Sequence, residues 1–388
     1  MKFLKSIFFI SHFIKMNVQF QKWLEKMRSF QSNLIDYLND EKDFEAITES
    51  IRDFQKYVNI REMNYIIQLI VEISNNHHRT PDFFNKIFKI LNLMKSEIEE
   101  NYTNSEIFNL FKSNKRILLF FIEKSTLKID HSIFNHISEN KYWNMQYIQF
   151  FLPETKKHIS QDLYSEIKND IKDDIRDIKS YKAKRRIGEN DHYICELIRN
   201  DSIDDFVIYM NKTNLSVNST IEKSIFETNL FLMNSNPSLI EYAAFFGSFQ
   251  IFKYLQLNDA ILRPSLWLYA IHGKKPEIIH ILEELHIEPS DKCFYECFVE
   301  AIKCHWNDMA LYVHDNLLTN YQNNFDDYHI FFKYHNYLFL NESSPLKMLY
   351  YFVEYHYNFL VLQLMKMNFT DINEMIIHDN IYTNQVYL

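Results

Sequence analysis

Between Ser238 and Leu285 the chain carries the same helix-turn-helix unit twice, and this repetition restricts the fold more than any other feature of the sequence. Counting from Ala243 in one copy and Ala270 in the other, apolar residues recur eight, nine, eleven and twelve positions later. They are Ile251, Phe252, Tyr254 and Leu255, then Ile278, Ile279, Ile281 and Leu282. That spacing is one face of a helix. Leu239 with Ile240, and Leu266 with Trp267, stand four and three positions before each alanine and put a second apolar stripe on a preceding helix. Gly247 and Gly273 fall between the stripes. They are two of only 3 glycines in the chain, and a turn between antiparallel helices is where a positive φ is most often needed, so both are expected to be turn residues.

The same ruler finds two further copies. Ala301 is followed by Met309, Ala310, Tyr312 and Val313 and preceded by Cys297 and Phe298. Ile198 takes the small-residue place in the other, followed by Phe206, Val207, Tyr209 and Met210 and preceded by Ile194 and Cys195. The anchors Ile198, Ala243, Ala270 and Ala301 stand 45, 27 and 31 residues apart. A single hairpin cannot bury its own stripe, so tandem copies are expected to bury theirs on one another.

Residues 243–255 resemble the ankyrin repeat, in which a small-residue helix, a glycine turn and a second apolar helix follow in order; the anchor spacings bracket its period of about 33 residues. Ser344-Pro345-Leu346 resembles the opening of such a repeat and Asp371-Ile372-Asn373 its ending, separated by too long an interval for a regular copy, so this copy is degenerate. The runs 188–206, 226–232, 241–248, 265–273 and 302–308, with 75–84 and 113–123 upstream, are similar to a large set of ankyrin-type proteins of parasitic protists such as trichomonads that share a conserved domain of unknown function. The resemblance covers most of residues 18–315. It implies an all-α, ankyrin-like helical-hairpin solenoid with an N-terminal α-helical region, and a role in binding other proteins. It brings no family catalytic residues with it.

The rest of the chain is read around this core as a leader or alternative-start segment (1–17), an N-terminal helical region (18–160), a charged connecting helix and linker (161–190), the repeats (191–318) and a degenerate C-terminal repeat region (319–388). Residues 1–16 hold a lysine-flanked apolar run that faintly resembles a signal peptide, but it lacks a small-x-small cleavage site and His12 interrupts it. Met16 as the start, or an amphipathic lead-in, is the preferred reading. Trp23, Met27, Phe30, Leu34 and Leu38 recur every three or four residues, as do Met63, Ile66, Ile67, Ile70, Val71 and Ile73. Thr80-Pro81-Asp82 reads as a helix start with Thr80 as N-cap and Pro81 at the first helical position. Ile107, Phe108 and Phe111, then Ile117 to Ile122, read as a hairpin without a glycine turn. From Glu166 to Lys179 a narrow stripe of Ile167, Ile171, Ile175 and Ile178 suits a connecting helix that buries one edge.

A hydrophobic share of 47% and a charged share of 24% suit a globular chain, while 3 Gly and 7 Pro are too few turn residues for a sandwich or a doubly wound sheet. The 34 Phe and 25 Tyr are expected in helix-helix interfaces. A net charge of −9 argues against nucleic acid as a partner, because phosphate binding needs clustered cations. The one basic cluster, Lys182, Lys184, Arg185 and Arg186, is followed at once by Gly188, Glu189, Asn190 and Asp191 and reads as a solvated linker before a nuclear-import signal. No stretch approaches the ~18 apolar residues needed to span a bilayer, so no integral membrane segment and a cytoplasmic location are expected.

The residues with chemical potential are few. Cys293, Cys297, Cys304 and His305 are close in sequence, yet their spacing is not that of a structural zinc site; Cys297 and Cys195 fall on repeat core places, and all four cysteines are expected to be reduced thiols. His77-His78-Arg79 could hold a metal or a phosphate, and reads more simply as cations closing a helix end. His272 precedes Gly273 and is expected to hold turn backbone. Asp173-Asp174 and Asp326-Asp327 read as solvated charge. No serine-hydrolase elbow, zinc-protease helix, phosphate loop or kinase signature is present in the sequence. The expectation is a non-catalytic scaffold for protein partners, with no cofactor and no metal. Two other readings stand beside it: an enzyme subunit with its site in the N-terminal helical half, and a peripheral membrane adaptor anchored by the first residues.

Overall fold

The computed structural model describes residues 2–57, 60–139, 144–171, 175–318, 327–340 and 348–365. The motifs expected at Ser344-Pro345-Leu346 and Asp371-Ile372-Asn373, the pair Asp173-Asp174, and Asp326 lie outside them, as do the side chains of residues 1–17. Regular structure among the described residues is entirely helical; extended pairing is limited to an isolated bridge between Thr220 and Ser238. None of the described helices is long and apolar enough to cross a membrane.

In chain order the α-helices begin with α1 (Lys2–Leu38), α2 (Phe44–Tyr57), α3 (Ile60–Asn76), α4 (Phe83–Leu93), α5 (Lys95–Asn101), α6 (Asn104–Phe111), α7 (Lys115–Glu123) and α8 (His131–Glu139). They continue with α9 (Asn144–Phe150), α10 (Leu152–Thr155), α11 (Gln161–Asp170), α12 (Ile178–Ile187), α13 (Tyr193–Arg199), α14 (Ile203–Thr213), α15 (Leu230–Met233) and α16 (Leu239–Phe246). The last are α17 (Phe249–Leu257), α18 (Leu266–Gly273), α19 (Pro276–Glu284), α20 (Tyr295–Lys303), α21 (Asn307–Tyr312), α22 (Tyr328–Lys333), α23 (Leu349–Glu354) and α24 (Asn358–Met365). The chain divides into two compact units, residues 1–70 with 322–388, and residues 71–321.

In the first unit the stripe Trp23, Met27, Phe30, Leu34 and Leu38 of α1 is buried throughout. Trp23 meets Tyr337 and Tyr357 edge-on, and Tyr357 stacks on Tyr65 with ring centroids 4.9 Å apart. The amide of Gln31 closes this core by donating to Asn336 Oδ1 (2.8 Å) and accepting from the Tyr337 N–H (2.8 Å). Large rings placed this way fill volume, and the Tyr357 hydroxyl reaches Phe332 O (3.2 Å), whereas the buried Trp23 Nε1 has no hydrogen-bond partner among the described residues.

The second unit contains four helix pairs, α13/α14, α16/α17, α18/α19 and α20/α21, each packed internally as a hairpin. The first helices pack in series, α13 on α16, α16 on α18 and α18 on α20, and the second helices α14, α17 and α19 do the same. At the positions eight and twelve residues beyond each anchor, Phe206 and Met210, Ile251 and Leu255, Ile278 and Leu282, and Met309 and Val313 are all buried. The anchors Ile198, Ala243, Ala270 and Ala301 are wholly inaccessible. Each first helix ends in a left-handed residue, Asp201, Gly247, Lys274 or His305. In three of the four the next N–H reaches back five residues, Ser202 to Leu197 O, Ser248 to Ala243 O and Trp306 to Ala301 O, the closing bond of a Schellman turn.

Some sequence expectations change here. Gly273 is the last residue of α18, and the left-handed place falls on Lys274 (φ 49°). Gly273 is small because of what it meets: a Cβ there would stand 2.0 Å from Ala244 O, and one on Gly247 (φ 68°) would stand 2.7 Å from Gly273 O. Pro81 and Asp82 form a turn closed by Phe83 N to Thr80 O (3.1 Å), so α4 starts at Phe83 with Asp82 as its N-cap, and Thr80 Oγ1 caps nothing. The expected connecting helix is two helices, α11 and α12; Ile167 and Ile171 are buried but Ile178 is exposed. The basic cluster is solvated only in part, since Lys182 and Arg186 are exposed but Arg185 is not. It lies on α12, where Arg185 is buried and forms a two-pronged pair with Glu154 (2.7 and 2.9 Å), while Lys184 meets Asp191 (2.5 Å) and Arg186 meets Glu123 (2.8 Å). The Glu154 carboxylate, which the local sequence does not reveal, draws Arg185 inward.

Candidate functional site

Each helix leaves its last carbonyls without an intrahelical donor. In the second unit the carbonyls at the ends of α18 and α20 are met by the segment joining α3 to α4. His78 Nδ1 lies 3.2 Å from His272 O, and His77 Nδ1 lies 3.0 Å from Cys304 O. A carbonyl only accepts, so both Nδ1 atoms carry the proton, and Nε2 of His77 is left to face Lys274 Nζ at 3.4 Å. Burial pushes His77 well below the ordinary histidine range, and the Lys274 ammonium adds to the effect. Burial likewise brings His78 down to about 4. The expected cations are therefore neutral imidazoles, because charging them in this setting would cost more than the helix dipole returns. They also close the ends of distant helices and not that of their own.

The same place holds a second chain of contacts. His272 Nε2 donates to Glu300 Oε1 (2.7 Å), which also accepts from Lys303 Nζ (2.9 Å); Cys304 Sγ lies 3.4 Å from His272 Nδ1. Burial works to raise the Glu300 pKa, but the His272 hydrogen bond and the Lys303 ammonium outweigh it and hold the group at about 2. His272 is pushed down by burial and Cys304 well up. Phe231 and Phe245 cover the imidazole at centroid distances of 4.5 and 4.8 Å.

Thiol, imidazole and carboxylate thus follow one another in the order of a nucleophile, its base and an orienting acid. The surroundings oppose that chemistry. Cys304 is inaccessible and caps the C-terminus of α20, where the dipole disfavours a thiolate, so the S–H stays in place as a donor. The ligand atoms of His272, Glu300 and Cys304 lie within 4.8 Å of one another. A metal ion bound there would have to displace the Lys303 ammonium from Glu300. Cys293 and Cys297, proposed beside Cys304 on spacing, stand apart: the Cys293 Sγ faces Asp291 (3.4 Å) and Cys297 packs in the core. His305 caps the hairpin turn, with φ 53°.

Arg79 extends the network to the other side. Its Nη1 lies 3.0 Å from Glu189 Oε1, 3.4 Å from Thr228 Oγ1 and 3.8 Å from Glu227 Oε1, and Arg116 reaches the same Glu189 oxygen at 3.3 Å. Glu227 accepts from the backbone N–H groups of Thr228 (2.8 Å), Asn229 (2.7 Å) and Asn190 (3.2 Å). Asn229 in turn donates to Asn75 O (3.2 Å), and Asn75 bonds Asn114 and Ser113. Residues 75–79 therefore run across the ends of successive helices and touch residues at 189, 228, 272 and 304.

The sequence placed His77, His78, Arg79, His272 and Cys304 on the page but did not join them. It did not single out Glu300, Lys303, Glu227 or Lys115, and it read Glu189 as part of a solvated linker. One signal for Lys115 was available: Lys115 and Arg116 open α7, the end of a helix where cations are disfavoured, directly ahead of an apolar run. No family model matches the chain, and neither a curated protein nor a solved structure matches it.

Proposed function

We propose that the chain is a scaffold of ankyrin-type helical hairpins, stacked as a solenoid, that binds other proteins and carries no catalytic activity of its own in that role. The observation that supports this most is the serial packing of four hairpins with the positions eight and twelve residues past each anchor buried in every copy. Such an array leaves its outer helices and tips free to vary without disturbing the core. Residues 75–79 cover the ends of α18 and α20, so the accessible part of the array is the outer side. There Ile208 on α14, Leu257 on α17, Ile261 in the next connection, Leu285 after α19 and Leu311 on α21 are exposed apolar side chains.

The test is affinity purification from native cells with the full chain and with a Leu257→Glu, Leu285→Glu double variant, followed by mass spectrometry. Both positions are exposed, at 73% and 44%, so the fold should tolerate the change. A defined set of proteins held by the unaltered chain and lost from the variant is the expected result. No specific retention, or an identical set from both, would remove the outer side as a recognition surface.

A further inference from the structure

Lys115 opens α7 and is 2% exposed, yet its ammonium position is met by no hydrogen-bond acceptor among the described residues. The Nζ lies 4.9 Å from the centre of the Phe150 ring. It lines a hollow of about 40 Å³ whose other walls include Gln146, Ile221, Leu232, Met233 and Tyr242. Exposed Glu222 and Lys223 stand where the hollow meets solvent. A water needs roughly 10–15 Å³ of such space, so the volume admits about three small heavy atoms. Burial works against the charge of this amine, and what favours it is the Phe150 ring face and the Glu227 carboxylate, which also lines the hollow.

We propose that Lys115 is a nucleophilic amine and that the hollow is a binding site for a small carbonyl compound, an aldehyde of two or three heavy atoms, which it takes as an imine. The nitrogen lone pair adds to the carbonyl carbon and the C=O becomes a carbinolamine. The two amine hydrogens then leave with the oxygen as water and a C=N bond remains. No oxidant or reductant takes part. Burial brings the Lys115 pKa down to about 7; Glu227 draws it up again and Arg79 pushes it further down. Glu222 and Lys223 at the mouth and Tyr242 in the wall are the other titratable groups that face it. At pH 7 about half of Lys115 is free amine, against about one part in 3,000 for a lysine of ordinary pKa. The site is independent of the scaffold reading and fits a lysine whose environment has been arranged for covalent chemistry.

The experiment treats the full chain with acetaldehyde and cyanoborohydride, which reduces the imine and fixes it, over a range of pH. The modification at each lysine is then read by peptide mass spectrometry. Lys115 should be alkylated at pH 7 roughly tenfold faster than exposed lysines such as Lys182 or Lys212, with a pH midpoint near 7 that disappears in urea. A Lys115→Met variant, which keeps the apolar stem, should lose that fast phase alone. If Lys115 in the folded chain stays unmodified while surface lysines react, or reacts only with them at alkaline pH, the proposal fails.

Discussion

A glycine inside a helix is ordinarily a weakness, since it adds backbone freedom that folding must remove. At Gly273 that cost is outweighed by proximity: the carbonyl of Ala244 lies where a Cβ would be, at 2.0 Å, and the obstacle is backbone that cannot rotate away. Gly247 answers a different demand, a left-handed φ of 68° at the end of α16, with a looser approach of 2.7 Å to Gly273 O. The two substitutions to alanine therefore separate sterics from backbone conformation. Gly273→Ala should destabilise the second unit by about 3 kcal/mol, the upper end of overpacking costs. Gly247→Ala should cost about 1–2 kcal/mol from the left-handed backbone, plus a smaller clash. Urea unfolding of both variants checks this; a Gly273→Ala chain as stable as the native one would mean that α16 and α18 are not held this close. In the sequence both glycines read alike, because spacing records where a residue stands and not which neighbour stands over it.

At the scale of elements, helix ends are joined by imidazoles that burial keeps uncharged. His77 and His78 donate to the last carbonyls of α20 and α18, and burial lowers the pKa of both, His78 to about 4. The unfolded chain takes up protons near pH 6.5 that these folded imidazoles refuse, so their contribution is complete above pH 6.5 and falls as pH drops through the window down to about 4. For half-buried His78 the loss is on the order of 1–3 kcal/mol. A second loss follows below pH 4.5 as Glu300, held at about 2 in the fold, takes up its proton. Urea midpoints at pH 7.5 and pH 5 should therefore differ, and a His78→Gln chain, which keeps a neutral donor, should show a smaller difference. Equal midpoints in the native chain would contradict the neutral-imidazole assignment. Helix existence was legible here from period and apolar stripe: the hairpins anchored at Ala243, Ala270 and Ala301 needed only a count along the chain. The joints were not. His77 and Cys304 are far apart in sequence, and neither carries a local mark of the other. Arg185 shows the same limit, since a run of cations looks solvated until Glu154 and Phe150 are known to surround it.

For the molecule, the four hairpins share one compact unit, residues 71–321, with helices α4 to α12. The sequence suggested a charged connecting helix and linker at residues 161–190, with Gly188 near its end. In the fold Gly188 is the left-handed end of α12 and presses on the Arg116 side chain, which itself pairs with Glu189. Stability in such a body should be shared through residues 75–79, where one short segment satisfies groups from several hairpins. Hydrogen exchange on the full chain tests this most directly. Replacing His78 by alanine removes a donor from the end of α18, and exchange should quicken both in α4 to α7 and in α16 to α21, far away in sequence. Faster exchange confined to the few residues around position 78 would show that the hairpins hold together without this segment and would contradict the account.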